Sequence, residues 1–285
     1  VDHDIKKGGV NDMERINLDA YDMLRKTGHT SKGDQRKWNV DEVWYKADYM
    51  GYEGLAEVIV SHLLERSHLR YPAVYYEPAV IEYHGEILNG CKSKNFLTDD
   101  QNLVPLEKLY RRYTGESLAM RLTDFSEAEE KIQFLVDEII QITGIRDFGE
   151  YITEMMEIDA FFLNEDRHTN NIAVIYNEKT GLYSLSPVFD HGLCLLADIR
   201  QDYPITRPLE NCMENIMAKS FDRNFDVQLE AAEMLYGKQV EFSFQTKEIE
   251  TELEQIRNWY PKEISDRVGT ILRGQIRKYA YLMSR

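Results

Sequence analysis

The period of the hydrophobic pattern changes near residue 100, and no other feature of the chain limits its fold so strongly. Before the change come short runs rich in Val, Ile, Tyr and Trp: WNVDEVWYKAD (38–48), AVYYEP (73–78) and AVIEYHGEIL (79–88). Such runs read as strands. One helix interrupts them, GLAEVIVSHLLE (54–65), with Leu55, Ile59 and Leu63 on one face and Glu57, Ser61 and Glu65 lining another. After the change the pattern is mostly helical. EAEEKIQFLVDEIIQIT (127–143) sets Ile132, Leu135, Val136, Ile139 and Ile140 on one stripe, and EYITEMMEIDAFFLN (150–164) follows with Ile152, Met155, Met156 and Phe162. A hairpin is expected from NIAVIY (171–176), a turn NEKTG, and LYSLSPVFD (182–190); from about 210 to 285 the chain reads as further helices. The pattern predicts an α+β chain of two lobes. A small β-rich lobe with one helix would span 1–97, and a larger, mainly helical lobe 98–285. A cleft between lobes is where a small-molecule site forms most readily.

Charge narrows the partners. The 285 residues carry 34 Lys and Arg against 50 Asp and Glu, a formal net charge of −16. Repulsion from phosphates then opposes any general grip on nucleic acid or anionic membrane. No apolar run has the length of a membrane span, and the opening VDHDIKKGGV has no signal-peptide core. Cys91, Cys194 and Cys212 are scattered, with no CxxC, which suits packed thiols in a reducing cytoplasm rather than disulfides or a zinc site. The charge is uneven, however. Between 21 and 40, Arg25, Lys26, Lys32, Arg36 and Lys37 outnumber Asp22 and Asp34; between 127 and 159 acids dominate and read as a solvated helix face.

The segment FLNEDRHTNNIAVIYNEKTGLYSLSPVFDHG (162–192) carries the chemistry. A helix runs into a polar loop holding Asp166 and, five residues later, Asn171. The predicted hairpin returns Asp190 to the neighbourhood of Asn171. One amide oxygen and one carboxylate suit Mg²⁺ shared with a nucleotide phosphate. Asp166 then remains to orient an attacking hydroxyl and accept its proton. The first lobe adds a loop, KTGHTSKGDQRKW (26–38), in which Gly28 and Gly33 flank Thr30 and Ser31, so that backbone N–H groups can cradle phosphate. Lys46 follows on a strand among large apolar neighbours, and Glu57 on the next helix is a ready partner for its ammonium. Glycine loop, strand Lys, helix Glu, Asp-x4-Asn and a later Asp-x-Gly make up the kinase inventory in kinase order.

FLNEDRHTNNIAVI followed by LSPVFDHG resembles the catalytic segment of HipA-like serine/threonine kinases, whose wider kin include phosphatidylinositol 3- and 4-kinases. SKGDQRK, WYKAD and GYEGLAEVIVSHLL likewise resemble a HipA-like first lobe, and the likeness covers most of 28–195. The resemblance implies a two-lobed protein-kinase-like fold and an ATP- and Mg²⁺-dependent kinase acting on Ser or Thr of a protein substrate. It implies Asp166 as the catalytic residue, Asn171 and Asp190 as metal ligands, and Lys46, Gly33, Lys37, Ser31 and Glu57 as the nucleotide-binding set. The hinge that holds adenine would centre on Ser93 to Leu97. An antitoxin-like regulatory partner is admitted by the same resemblance. Two departures stand out. Some 45 residues precede Lys46, from which a short, stand-alone member is expected, and Lys32 occupies the place of the regulatory Ser that precedes the loop glycine, with Thr30 and Ser31 close by.

Three other readings remain open at this point. A phosphatidylinositol-kinase-like lipid kinase would use the same residues. A catalytically idle nucleotide-binding module would retain them without turnover. A metal-dependent hydrolase would use Asp166, His168, Asp190 and His191 as ligands. Under the kinase reading His168 braces the loop, His191 packs behind Asp190, and Asp159, near the apolar stripe of its helix, anchors the loop.

Overall fold

The computed structural model describes residues 15–24 and 35–284, so Gly28, Thr30, Ser31, Lys32 and Gly33 of the glycine-bearing loop lie outside the described residues. The chain starts with β1 (Arg15–Asn17), β2 (Lys37–Val40) and β3 (Val43–Ala47), then α1 (Glu53–Glu65), β4 (Glu77–Tyr83) and β5 (Glu86–Lys94). These strands form one sheet in the order β1-β4-β5-β3-β2, antiparallel except for β1 with β4. The run 38–48, expected as one β-type stretch, is a hairpin. It turns at Asp41 and Glu42, both at positive φ, and β4–β5 turns likewise at His84 and Gly85. Paired left-handed residues match the right-handed twist of the flanking strands, which lets two-residue turns close both hairpins.

Helix α1 differs from its expected amphipathic form. Glu57 and Ser61, assigned to an outer polar face, are both buried, while Glu65 is exposed. The helix packs on β4 and β5 and also against a helix near the C-terminus, so both of its faces are covered. It approaches β5 closely because Gly54 meets Gly90: a Cβ on Gly54 would lie 2.6 Å from the Gly90 backbone. Only glycine allows that approach.

The remainder is β6 (Gln101–Pro105), α2 (Leu106–Thr114), α3 (Leu118–Leu122), α4 (Ala128–Thr143), α5 (Phe148–Phe162), β7 (Ala173–Asn177), β8 (Tyr183–Leu185), α6 (Leu209–Asn215), α7 (Phe225–Tyr236), α8 (Thr246–Ile256) and α9 (Lys262–Lys278), closed by a short 3₁₀ turn. The partner of α1 is α8. The predicted hairpin β7–β8 gains a third strand, β6, which the sequence pattern did not single out. Its second arm is also shorter than expected and stops at Leu185, not Asp190. Pro187 has no N–H for the ladder. Val188 pairs instead with the connection before β4, giving its N–H to Pro72 O and accepting from Val74 N, both at 2.8 Å. The chain that carries Asp190 is thereby drawn to the first sheet.

Helix α5 is buried all round and runs through the main core, which is shared with α1. The acidic stretch is therefore only partly a solvated face. Glu154 and Glu157 are fully buried and take backbone N–H groups, Glu154 from Arg70 and Tyr71, Glu157 from Gln239 and Val240. Burial pushes their carboxyls up to about 7 and about 8. All three cysteines are buried and free, as packed thiols should be. Among the described residues no helix is long and apolar enough to cross a membrane. The α+β architecture, an N-terminal sheet with one helix followed by a helical part, is the one expected.

Candidate active site

Strand β3 places Lys46 among buried neighbours, and β2 places Lys37 directly opposite it in register. Residues opposite each other in a ladder project to the same face. Both ammonium groups converge on Asp190: Oδ1 lies 3.0 Å from Lys46 Nζ and 3.8 Å from Lys37 Nζ. Lys46 Nζ also donates to Glu57 Oε1 at 2.5 Å and lies over the Tyr76 ring. Burial by itself pulls the Lys46 ammonium's pKa down, but Asp190 and Glu57 reverse that and hold it well above the ordinary lysine range. Lys46 is a fixed positive charge. Glu57 serves two elements at once, because its Oε2 accepts the backbone N–H of His191 at 2.8 Å.

The second cluster grows from the end of α5. Leu163 adopts positive φ and turns the chain out of the helix into the loop at 164–171. Asp159 anchors that loop, as expected of a carboxylate on the apolar stripe: it accepts from Asn164 Nδ2 at 2.9 Å and binds Arg167 through both oxygens, at 2.8 and 3.0 Å. Arg167 is buried, and its Nη1 donates to Asn171 O at 3.1 Å and to Phe189 O at 2.8 Å. One guanidinium thus ties α5 to the backbone of one expected metal ligand, Asn171, and of the residue that precedes the other, Asp190. Its pKa is raised, since the paired Asp159 outweighs the loss of solvent.

Within the loop, Asn171 Nδ2 donates to Asp166 O at 2.8 Å and to Asp166 Oδ2 at 3.2 Å. That pairing fixes the amide with its donor side toward Asp166. His168 braces the loop, its Nδ1 accepting Asn170 N at 3.2 Å and its Nε2 lying 3.8 Å from Asp166 Oδ2. Asp190 sits at positive φ, a conformation that Asp adopts more readily than most residues with a Cβ. His191, the next residue, is fully buried, and burial lowers its pKa well below the histidine range.

The structure therefore brings together Lys37, Lys46, Glu57 and Asp190 on one side, and Asp166 and Asn171 on the other, with Arg167 as the tie. Ser31 and Gly33 lie outside the described residues. Of the expected hinge, Ser93 and Lys94 end β5, paired with β3, and the connecting segment begins at Asn95. Asn95 N is taken by Glu42 O at 2.7 Å. The hydrolase set does not assemble. Among the described residues, the grouping of acidic or ligating side chains close enough for one ion is Glu165, Asp198 and Asp202, which includes none of Asp166, His168, Asp190 and His191.

Two site residues escaped the sequence reading. Arg167 stands inside the motif, and its signal was the need of a buried Asp159 for a counter-charge. Lys219 had no local signal; it arrives from a segment 53 residues further on and places Nζ 3.3 Å from Asp166 Oδ1. The donor set fits magnesium: a carboxylate and an amide oxygen are hard ligands, and few protein ligands suffice when phosphates supply the rest.

No protein-family model matches the chain, and no curated protein matches it in sequence. Among solved structures it is similar to the Helicobacter pylori proinflammatory kinase CtkA, with a TM-score of 0.59 and 14% identity over 93% of this chain and 95% of that one. The likeness is one of fold.

Proposed function

On a protein-kinase-like fold, we propose that this chain is a Mg²⁺-ATP-dependent phosphotransferase, and that its acceptor is a Ser or Thr hydroxyl of a protein. The observation that carries the reading is the buried Lys46 ammonium held between Glu57 and Asp190, across from the hydrogen-bonded pair Asp166 and Asn171. The resemblance of 162–192 to HipA-like kinases supports the protein acceptor. Asn171 and Asp190 would hold Mg²⁺, which neutralises phosphate charge when bound.

The chain's own residues do the rest. Lys46 and Lys37 present two cations to the nucleotide's phosphates, and Lys46 stays charged because Glu57 remains its partner. Asp166 accepts a hydrogen bond from the acceptor hydroxyl and orients its oxygen toward the γ-phosphorus. As that O–P bond forms, the bond from phosphorus to the β–γ bridging oxygen breaks. ADP leaves with the electron pair, and the hydroxyl proton passes to the Asp166 carboxylate. Positioning and charge neutralisation supply most of the barrier reduction.

The test is transfer of radiolabelled γ-phosphate to protein by wild type, Asp166→Ala and Asp190→Ala. Wild type should label itself or an added protein in the presence of Mg²⁺, and each variant should fall by at least about 10²-fold. Undiminished transfer by Asp190→Ala, or phosphate release from a simple ester without ATP, would refute the reading.

A further inference from the structure

Lys219 donates to Asp166 Oδ1 at 3.3 Å, across 53 residues of chain. The loop at 164–171 has no lysine, and its one arginine, Arg167, is buried and turned to Asp159. The exposed ammonium at the reacting position therefore comes from outside the motif. Resting on the phosphotransferase reading above, we propose that Lys219 is a ligand of the nucleotide's γ-phosphate. Its ammonium pairs with Asp166 in the free protein and passes to the terminal phosphate when Mg²⁺-ATP binds.

Geometry selects the terminal phosphate. Asp166 Oδ2 is held by Asn171 Nδ2 at 3.2 Å, and Oδ1 is the oxygen that meets Lys219. An acceptor hydroxyl bonded to this carboxylate attacks from about 3–3.5 Å. The γ-phosphorus then lies one hydroxyl beyond Asp166, within the swing of a flexible four-carbon lysine stem. Lys46 and Lys37 close on Asp190 instead, so their cations meet the nucleotide from the other side. Charge supplies the need. Glu165, next to Asp166, Asp198 and Asp202 have carboxylate oxygens within 4.8 Å of one another. A terminal phosphate arriving among these acids is repelled unless a cation offsets them. Lys219, Arg207 and Arg223 line the adjoining cavity, and it is Lys219 that bonds Asp166, while Arg207 Nη1 donates to Asp202 O at 2.8 Å.

The backbone on both sides of Lys219 is fixed in advance. Ser220 Oγ donates to Arg167 O at 2.6 Å, Ala218 N to Arg223 O at 2.9 Å, and Lys131 Nζ to Phe221 O at 2.8 Å. The side chain itself is exposed, and an exposed ion pair contributes little to a fold. Removing the ammonium therefore perturbs the ligand's surroundings and leaves the scaffold intact. The exchange of partners also releases Asp166 Oδ1 to the acceptor hydroxyl. Arrival of the γ-phosphate and readiness of the carboxylate become one event.

The experiment uses the full chain as wild type, Lys219→Met and Lys219→Arg, with circular dichroism to verify the fold. Calorimetry with Mg²⁺ measures affinity for ADP and for the non-hydrolysable β,γ-imido analogue of ATP, and radiolabel measures transfer. Lys219→Met should weaken the analogue about tenfold, the worth of one hydrogen bond between charged groups, and leave ADP unchanged. Its kcat for transfer should fall about 10²-fold, as when one preorganised donor to developing charge is removed. Lys219→Arg, which keeps the charge, should retain most of both. A loss confined to the analogue, in a protein whose wild type transfers phosphate to no acceptor, would uphold the contact while refuting the phosphotransferase reading. Equal affinities of wild type and Lys219→Met for the analogue would refute the contact, even if transfer fell, since Lys219 would then act through Asp166 alone. Equal weakening of ADP and the analogue would refute it too, because ADP has no γ-phosphate. Wild type that bound neither nucleotide would refute both readings.

Discussion

Arg167→Met separates the two duties of the buried arginine. The side chain is fully enclosed, and its removal strands the Asp159 carboxylate with Asn164 Nδ2 as its remaining side-chain donor. Breaking a buried pair from one side costs about 3–5 kcal/mol. The carbonyls of Asn171 and Phe189 also lose a donor, at about 1 kcal/mol each. A loss of about 5 kcal/mol or more is expected, a large part of the ~5–15 kcal/mol that holds a typical domain folded. Asp159→Asn/Arg167→Met removes the stranded charge and should recover about 3 kcal/mol of that loss. It does not restore the donor to Asn171 O and Phe189 O. Phosphotransfer per folded molecule should therefore stay down by about 10²-fold, the scale of an ångström's misplacement of catalytic groups. Urea unfolding followed by circular dichroism gives the first quantity, and radiolabelled transfer corrected for folded fraction gives the second. A single variant destabilised by less than about 1 kcal/mol would refute the stability argument. A double variant that regained transfer together with stability would refute the positioning role.

Two further perturbations test the frame around the site. Gly54→Ala puts a Cβ 2.6 Å from the Gly90 backbone and 2.9 Å from Asp48 Oδ1; α1 must shift, which should cost about 1–3 kcal/mol and lengthen the Glu57–Lys46 contact, and a melting temperature equal to wild type would show that the close approach is not needed. Asp48 is half-buried, with Oδ1 accepting Gly54 N and Oδ2 accepting Tyr260 OH, and loss of solvent, aided by nearby Glu53, raises its carboxyl from 3.8 to about 7. Between those values the folded state holds a proton that the unfolded chain has released, so this group's contribution is fully present below about pH 4 and is lost as pH rises through about 7. Glu154 and Glu157 act in the same direction. Asp48→Asn mimics the protonated form, and should flatten part of the fall in stability between about pH 4 and 7 in urea titrations; a pH slope unchanged from wild type would count against the assignment.

The elements were legible because their signals are local. The stripe of Ile132, Leu135, Val136 and Ile139 marks α4 from residues three and four apart, and all four are buried. Asp166 and Asn171 were legible for the same reason, since the five-residue spacing that lets Nδ2 reach both Asp166 oxygens lies within one loop. Helix α1 misled because periodicity records which residues are polar and not which faces are covered. Glu57 is buried, and it is Lys46, eleven residues earlier, that makes its burial tolerable.

By itself the sequence determined the change of period near 100, the α+β composition of the chain, and the residue types able to hold phosphate and metal. The tertiary structure decided where those types meet. Pro187 breaks the β7–β8 ladder and Val188 pairs with the chain before β4, which delivers Asp190 to Lys46 and Lys37. Arg167 and Lys219 acquire their roles from Asp159, Phe189 and Asp166, partners that chain folding brings within hydrogen-bond reach. The physical reason is that periodicity is a property of neighbours along the chain. A buried charge is decided by which distant group closes on it, and that depends on how every intervening element packs.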